Sequence, residues 1–470
     1  MSLTKTLAKN TTAQIVGKFI STALGIAAVM MMTRGLGPTQ FGWYVTAFGF
    51  LQFVGIFSDF GFTLTSANML AEGKHDRRQL LNVLYSWRFV TAVVFNGLAP
   101  LIFLFFPYQT EIKLTVLMGA LSFFAIAINQ VYVGYYQAEI ATYRVAWGEI
   151  LGRLALVGGT ALAIYNHLGF FVVMGVIVIA SIVNTLYLRA HLPKISFSFD
   201  KTISRAIYSK IWPNATAVIF NSFYLQGDRV ILPLFTSQAT VGVYGAAYRV
   251  LDIAIQLAAI MMGIMIPLLT AAWAKNNQDE FKRYFRLSFT LVAAILIPIL
   301  AGILVLAEPI MRFVAGSNFA GGGAVLAGLS WAILGFCFGM VFGHTAVAIN
   351  QQRRALWIYG TDAVLSVIGY FVFIPIYGVT GAIGVTIFSE VYAGLLLMAL
   401  VIRYSKVFPP MLTFGKILLA SVIMATGISL LPPLPFAVSV LIGIVIYAVM
   451  AIILRIVKKE TLVEIFKRPQ

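Results

Sequence analysis

Charge is what this chain has least of. Asp, Glu, Lys and Arg make up 10% of its 470 residues, against about a quarter in soluble domains. Hydrophobic residues make up 60%, and the mean hydropathy is +0.92. That excludes an ordinary water-soluble globule. Cysteine is nearly missing: Cys337 alone can form neither an intrachain disulfide nor a thiolate metal site. The four histidines (His75, His167, His191, His344) show no metal-ligand spacing. There is no Walker lysine motif and no glycine-rich turn after a strand, which leaves ATP-driven work without a site. Strand-length alternation is also absent, which excludes a membrane β-barrel. The expectation is a non-enzyme with no cofactor and no metal.

What is present is apolar sequence in runs of about 20 residues, the length of a bilayer-crossing helix. Helices are the spanning form left, because lipid offers no partner to unpaired backbone groups. The runs fall near 11–33, 41–63, 83–106, 113–137, 144–165, 169–190, 211–235, 242–272, 285–307, 323–350, 355–375, 379–402, 414–431 and 434–456. The expected fold is therefore an all-α polytopic membrane protein with about fourteen transmembrane helices. The first run is too long for a cleaved signal peptide, and it contains Gln14 and Lys18. The net charge of +17 would suggest nucleic acid in a soluble protein. Here about 25 of the Lys and Arg lie in loops and ends on one side and about three (Arg34, Lys113, Arg312) on the other, so the excess encodes topology. No nucleic-acid partner is expected, and both termini are placed in the cytoplasm.

Two long apolar runs meet at residues 228–252 across the uncharged turn Thr236–Thr240, and each carries an acid and an arginine. The turn echoes Leu36-Gly-Pro-Thr-Gln-Phe-Gly42-Trp-Tyr44, with Gly42 and Tyr44 matching Gly242 and Tyr244. Glu149 also matches Asp362 in the sequence repeat when Gln137 is set against Asn350, and Leu168-Gly169 matches Tyr377-Gly378. Three matches in one order indicate two six-helix lobes of the same orientation, a parallel repeat. The expected division is an N-lobe at 1–192, a cytoplasmic amphipathic linker at 193–210 and a C-lobe at 211–403. Residues 404–470 then hold two extra helices and a basic tail. The linker alternates basic and apolar residues as an interfacial helix does.

Charge within a span costs roughly 2.5–3.5 kcal/mol per group on insertion scales, so each such residue is a candidate site. Lys18 either snorkels to the inner surface or faces a cavity. Asp59 and Arg88 lie at similar depth and can pair. Glu149 and Arg153 share a helix face, and either satisfy each other or leave Arg153 for an anionic ligand. Asp228 can meet Arg249 across the hairpin, with Asp252 at nearly the same depth, as a structural pair or as a latch a ligand opens. Asp362 and Glu390 have no partner in sequence. They are proton or sodium coupling candidates, or else hydrogen-bonded packing residues.

The ordered motifs Arg34-Gly-Leu-Gly-Pro-Thr-Gln-Phe-Gly42-Trp-Tyr44, Ser58-Asp59-Phe-Gly61-Phe, Asp228-Arg-Val-Ile-Leu, Val241-Gly-Val-Tyr244-Gly-Ala-Ala-Tyr-Arg249 and Tyr377-Gly-Val-Thr-Gly381-Ala-Ile-Gly384 span essentially the whole chain. With them the chain resembles the polysaccharide transporter branch of the multidrug/oligosaccharidyl-lipid/polysaccharide flippase superfamily, which includes the O-antigen flippases. The resemblance implies alternating access on an undecaprenyl-diphosphate-linked oligosaccharide in the bacterial cytoplasmic membrane, with a cavity lined by cations. Lys18, Arg88, Arg153 and Arg249 are the substrate-binding candidates. Asp59, Glu149, Asp228, Asp252, Asp362 and Glu390 are the coupling or gating candidates. Implied partners are the lipid-linked oligosaccharide and membrane lipids, with a polysaccharide polymerase and glycosyltransferases as neighbours. The two helices beyond twelve resemble those of lipid II flippases, where an added pair can seat a lipid tail. The alternatives are a multidrug or cation antiporter of the same superfamily and a non-transporting scaffold. A membrane-embedded glycan polymerase or transferase is disfavoured because the outer turns are too short to hold a donor site.

Overall fold

The structure is a computed structural model. It describes residues 3–456 except Pro433, without the side chains of 3–13, 15, 64 and 212–225. The described residues form helices joined by short turns, with no strand among them. Twelve described helices are long and apolar enough to cross a membrane. The chain divides into two compact units, Met1–Gly242 and Val243–Gln470.

The first unit contains α1 (Leu3–Asp59), α2 (Phe62–Glu72), α3 (Arg77–Phe103), α4 (Thr110–Ala138), α5 (Thr142–Tyr165), α6 (Phe170–Ala190) and α7 (Lys201–Phe235). Two separate spans are expected over 11–63. The structure has two helical limbs there, meeting at a sharp kink at a single residue, Gly37 (φ 74°, ψ 175°), and α1 names both limbs together. Glycine reaches this positive φ without a Cβ clash. Pro38 then opens the outer limb, where a missing N–H costs nothing. The described apolar stretch, Val16–Asp59, is 44 residues, about 66 Å at 1.5 Å per residue and twice a bilayer core.

The expected second span also ends early. The helix stops at Asp59, and Phe60 and Gly61 both stand at positive φ (47° and 79°). The chain restarts as α2, a helix where the sequence predicts a cytoplasmic connection. Phe62, Met69 and Leu70 of α2 are buried against Leu80, Leu81 and Leu84 of α3 and Ile203, Ile207 and Ile211 of α7. Glu72 receives two hydrogen bonds from Lys210 Nζ, at 2.6 and 2.7 Å, and these hold its carboxyl below the ordinary carboxylate range.

An amphipathic helix is expected over 193–210, but helix begins only at Lys201, where the Asp200 carboxylate caps it by accepting from Ile203 N at 2.9 Å. Residues 193–200 lie along α3 without helix. Ser196 exchanges hydrogen bonds with Asn82, Ser198 N donates to Ser86 Oγ, and Phe199 packs edge-on against Trp87. Polar side chains of α3 take the hydrogen bonds a helix would have made internally. Ile203, Ile207 and Ile211 recur every four residues, so the apolar face of α7 turns into the protein.

Helix α8 (Gln238–Ala274) leads into the second unit. There it is followed by α9 (Gln278–Ala315), α10 (Gly322–Ser330), α11 (Ala332–Ala348), α12 (Gln352–Tyr377), α13 (Val379–Ser405), α14 (Met411–Ser429) and α15 (Phe436–Ile453). Helix α13 packs against α11 and α12, and α9 against α14. Leu306 of α9 joins Met424 and Ile428 of α14 in one apolar cluster. The two sequence-matched glycines Gly169 and Gly378 play the same part: each has positive φ and opens the next helix, α6 or α13. Side chains such as Leu162, Phe371 and Ile452 point outward at 64%, 50% and 75% exposure, as a lipid-facing surface requires. The last fourteen residues of the expected basic tail, 457–470, lie outside the described residues.

Candidate functional site

In the first unit the inner limb of α1 lies along α5. The partners advance together (Gly17 with Ala146, Gly25 with Arg153, Gly35 with Ile164), so the two helices run parallel. Glycine on α1 permits the close approach common between membrane helices. Three of the expected site residues meet on one side of this seam. Lys18 Nζ lies 3.8 Å from Glu149 Oε2, and Ser21 Oγ donates to the same oxygen at 3.3 Å. Arg153 lies one turn further along α5, its guanidinium carbon 3.6 Å from a Cβ built on Gly25. Among the described residues Arg153 has no ion pair or hydrogen-bond partner, and it is exposed. It sits 11 residues after Thr142 and 12 before Tyr165, roughly 17 Å from either end of α5. This is a half-free charge ladder at mid-span, with a cation left over.

Arg88 and Asp59 are placed differently. They pair at 3.2 Å, and the Arg88 side chain is 2% exposed. Its Nη1 donates to Ser58 O at 2.6 Å, its Nε to Ala127 O at 3.0 Å, and its Nη2 to Gln130 Oε1. Asp59 also accepts from Thr63 N and from Thr63 Oγ1. The guanidinium caps the carbonyl end of α1 where the chain breaks, which is the sign of charge a helix C-terminus favours. It joins α1, α3 and α4, with each of its three nitrogens donating to a protein acceptor.

Asp228 is buried in the first unit at 2% exposure. Arg249, in the second, pairs with Asp252 one turn along its own helix, Nη1 to Oδ2 at 3.5 Å.

Asp362 on α12 is 0% exposed and accepts from Ser366 Oγ at 3.2 Å and Ser389 Oγ at 3.1 Å. No cation pairs with it among the described residues. Glu390, 3% exposed, follows Ser389 on α13, its backbone packed tightly on Gly335 of α11. The sequence reading missed both serines. Ser366 is legible as the i+4 neighbour of Asp362, whereas Ser389 reaches it only through tertiary packing. No group of three or more His, Cys, Asp or Glu that could hold a metal occurs among the described residues.

The family profile described as polysaccharide biosynthesis protein matches residues 31–321, more than half of the sequence. The chain belongs to that family. A Haloferax volcanii protein described as a low-salt glycan biosynthesis flippase, Agl15, is 23% identical over 396 residues, covering 82% of this chain and 81% of its own. A Shigella flexneri protein described as an O-antigen transporter is 23% identical over 396 residues, covering 80% and 92%. Both relatives are transport proteins rather than enzymes, in line with the sequence reading. Among solved structures, the lipid II flippase MurJ in an inward closed conformation superposes with a TM-score of 0.78 over 94% of this chain and 98% of that one, at 16% identity. That likeness establishes the fold, a multi-pass bundle of membrane-length helices.

Proposed function

We propose that this family member is a flippase that moves an undecaprenyl-diphosphate-linked oligosaccharide across the bacterial cytoplasmic membrane by alternating access. The reading keeps both termini on the cytoplasmic side, with lobes at 1–192 and 211–403, a linker at 193–210 and an added helical pair and tail at 404–470. The observation that carries it is Arg153, an exposed guanidinium at mid-span with no counter-ion among the described residues. A desolvated cation there gains most from an anion that visits, and a diphosphate suits the planar fork of arginine. Lys18, held at 3.8 Å by an acid it shares with Ser21, can exchange Glu149 for phosphate at small cost. Polymerases and glycosyltransferases acting on the same glycan are its natural partners. Deleting the gene stops surface glycan export and leaves lipid-linked repeat units inside the cell. Normal surface glycan in a clean deletion without a paralogue overturns the reading. A cationic-drug antiporter instead predicts dye efflux that depends on this protein and intact glycan export.

We place ion coupling at Asp362. A buried carboxyl with two hydroxyl donors and no paired cation can gain and lose a proton, or hold a small cation, without disturbing a salt bridge. Asp362→Asn still holds both serines, accepting from one hydroxyl through Oδ1 and donating to the other through Nδ2, so the fold is kept, and transport ceases to respond to an imposed ion gradient. Transport that still follows the gradient in this variant makes Asp362 a packing residue.

A further inference from the structure

The two sequence-matched turns touch. Gly42 packs on the backbone of Gln238, and Gly242 on the backbone of Pro38. The contact is reciprocal, because each glycine meets the residue four positions before the other. A Cβ on Gly42 would overlap the Gln238 carbonyl oxygen. One on Gly242 would overlap the Pro38 carbonyl oxygen and stand 3.0 Å from Gly42 N. Both glycines are buried. Thr46, one turn along and 3% exposed, donates from Oγ1 to Gln238 Oε1 at 2.7 Å. All these residues belong to the first unit. They lie beside the Gly37 kink of α1, the far end of the limb that carries Lys18, and at the end of α7 away from the basic stretch Lys201–Lys210.

We propose that the Gly42–Gly242 crossing is the seal that closes the transport path on the face opposite the basic loops, and that it parts in every cycle. The proposal rests on the transport reading above. A seal must exclude water and small ions when shut yet separate at low cost. Backbone packed on backbone meets both needs. It leaves no gap for water, and no interdigitated side chain has to be withdrawn or change rotamer. The non-helical residue Gly37 adjoins Pro38, so the outer limb of α1 can swing there without breaking its own hydrogen bonds. The glycine requirement then comes from the closed state alone: a methyl group at either position wedges the seal open.

The single cysteine of the chain allows a clean test in a Cys337→Ala background. Thr46→Cys with Gln238→Cys, bridged in cells by a short bis-methanethiosulfonate, holds the crossing shut. Surface glycan made afterwards falls about tenfold and returns on reduction with dithiothreitol. Failure to crosslink, or normal glycan with the crosslink in place, overturns the proposal; the second result would make the crossing a fixed pivot. A companion measurement needs no substrate. Thr46→Cys alone reacts slowly with a membrane-impermeant maleimide from outside, and adding Gly242→Ala, or Gly42→Ala where the first folds poorly, raises the rate about tenfold by populating the open state. Unchanged labelling in folded variants overturns the seal even if glycan transport is confirmed. Raised labelling without glycan transport leaves the seal standing and removes the assigned cargo.

Discussion

Arg88→Gln lowers the unfolding free energy of the protein by about 3–5 kcal/mol, the usual consequence of removing one member of a buried ion pair. The measurement is thermal or denaturant unfolding of the purified protein in detergent, with no substrate present. The size follows from what the guanidinium touches. It satisfies the Ser58 carbonyl at the end of α1, the Ala127 carbonyl of α4, the Gln130 amide and the Asp59 carboxylate. Glutamine reaches at most part of that set and leaves Asp59 without its cation. Arg88→Lys does not restore stability, since an ammonium is a point donor and the acceptors surround a planar fork. Asp59→Asn costs less, because Arg88 still donates to Ser58 O, Ala127 O and Gln130 Oε1. The pattern separates a structural role from the ligand role expected of Arg88 in the sequence. A folded Arg88→Gln protein with an unchanged midpoint and lost transport would return it to the substrate path.

The membrane helices were legible because a bilayer leaves the backbone so little choice: about 20 apolar residues between turn signals admit a single structure. Asp59 with Arg88 was legible too, since consecutive antiparallel helices bring residues of equal depth together. The misreadings cluster where a break carries no polar signal. Phe60-Gly61-Phe62 is apolar throughout, so the end of α1 and the start of α2 looked like one span. At Leu36–Gln40 the turn residues Gly37 and Pro38 marked a real break between two helices, but one residue of positive φ makes the whole of it, so the turn is shorter than the sequence suggests. Contacts between distant segments were out of reach for a different reason. Lys18 meets Glu149 and Ser389 meets Asp362 through helix packing, and nothing in an apolar run states which neighbour it will have. The repeated turn motif was visible as a pattern, but that its two copies would pack on each other was not.

Arg153→Gln lowers glycan transport by roughly 10- to 100-fold, the loss expected when one charge-assisted hydrogen bond of about 1.5–3 kcal/mol is removed. The protein stays folded. An exposed guanidinium at mid-span contributes no hydrogen bond to any described residue, and its removal relieves an insertion cost of roughly 2.5–3.5 kcal/mol. Thermal stability is therefore equal or higher while transport collapses, the opposite of the pattern at Arg88. Arg153→Lys keeps the charge and loses the fork, so it retains part of the activity. Glu149→Gln gives the converse result. It frees Lys18 from its only acid partner on α5, makes the seam more cationic and tightens binding of a diphosphate headgroup, so that release slows and transport falls although affinity rises. Isolated protein titrated with undecaprenyl diphosphate reads the two arms apart: weaker binding for Arg153→Gln, tighter binding for Glu149→Gln. If both variants bind and transport like the parent, the α1–α5 seam faces lipid and the cargo passes elsewhere. A residue that costs the membrane energy and gives the fold nothing persists because something else uses it, and these variants test whether that is the passing anion.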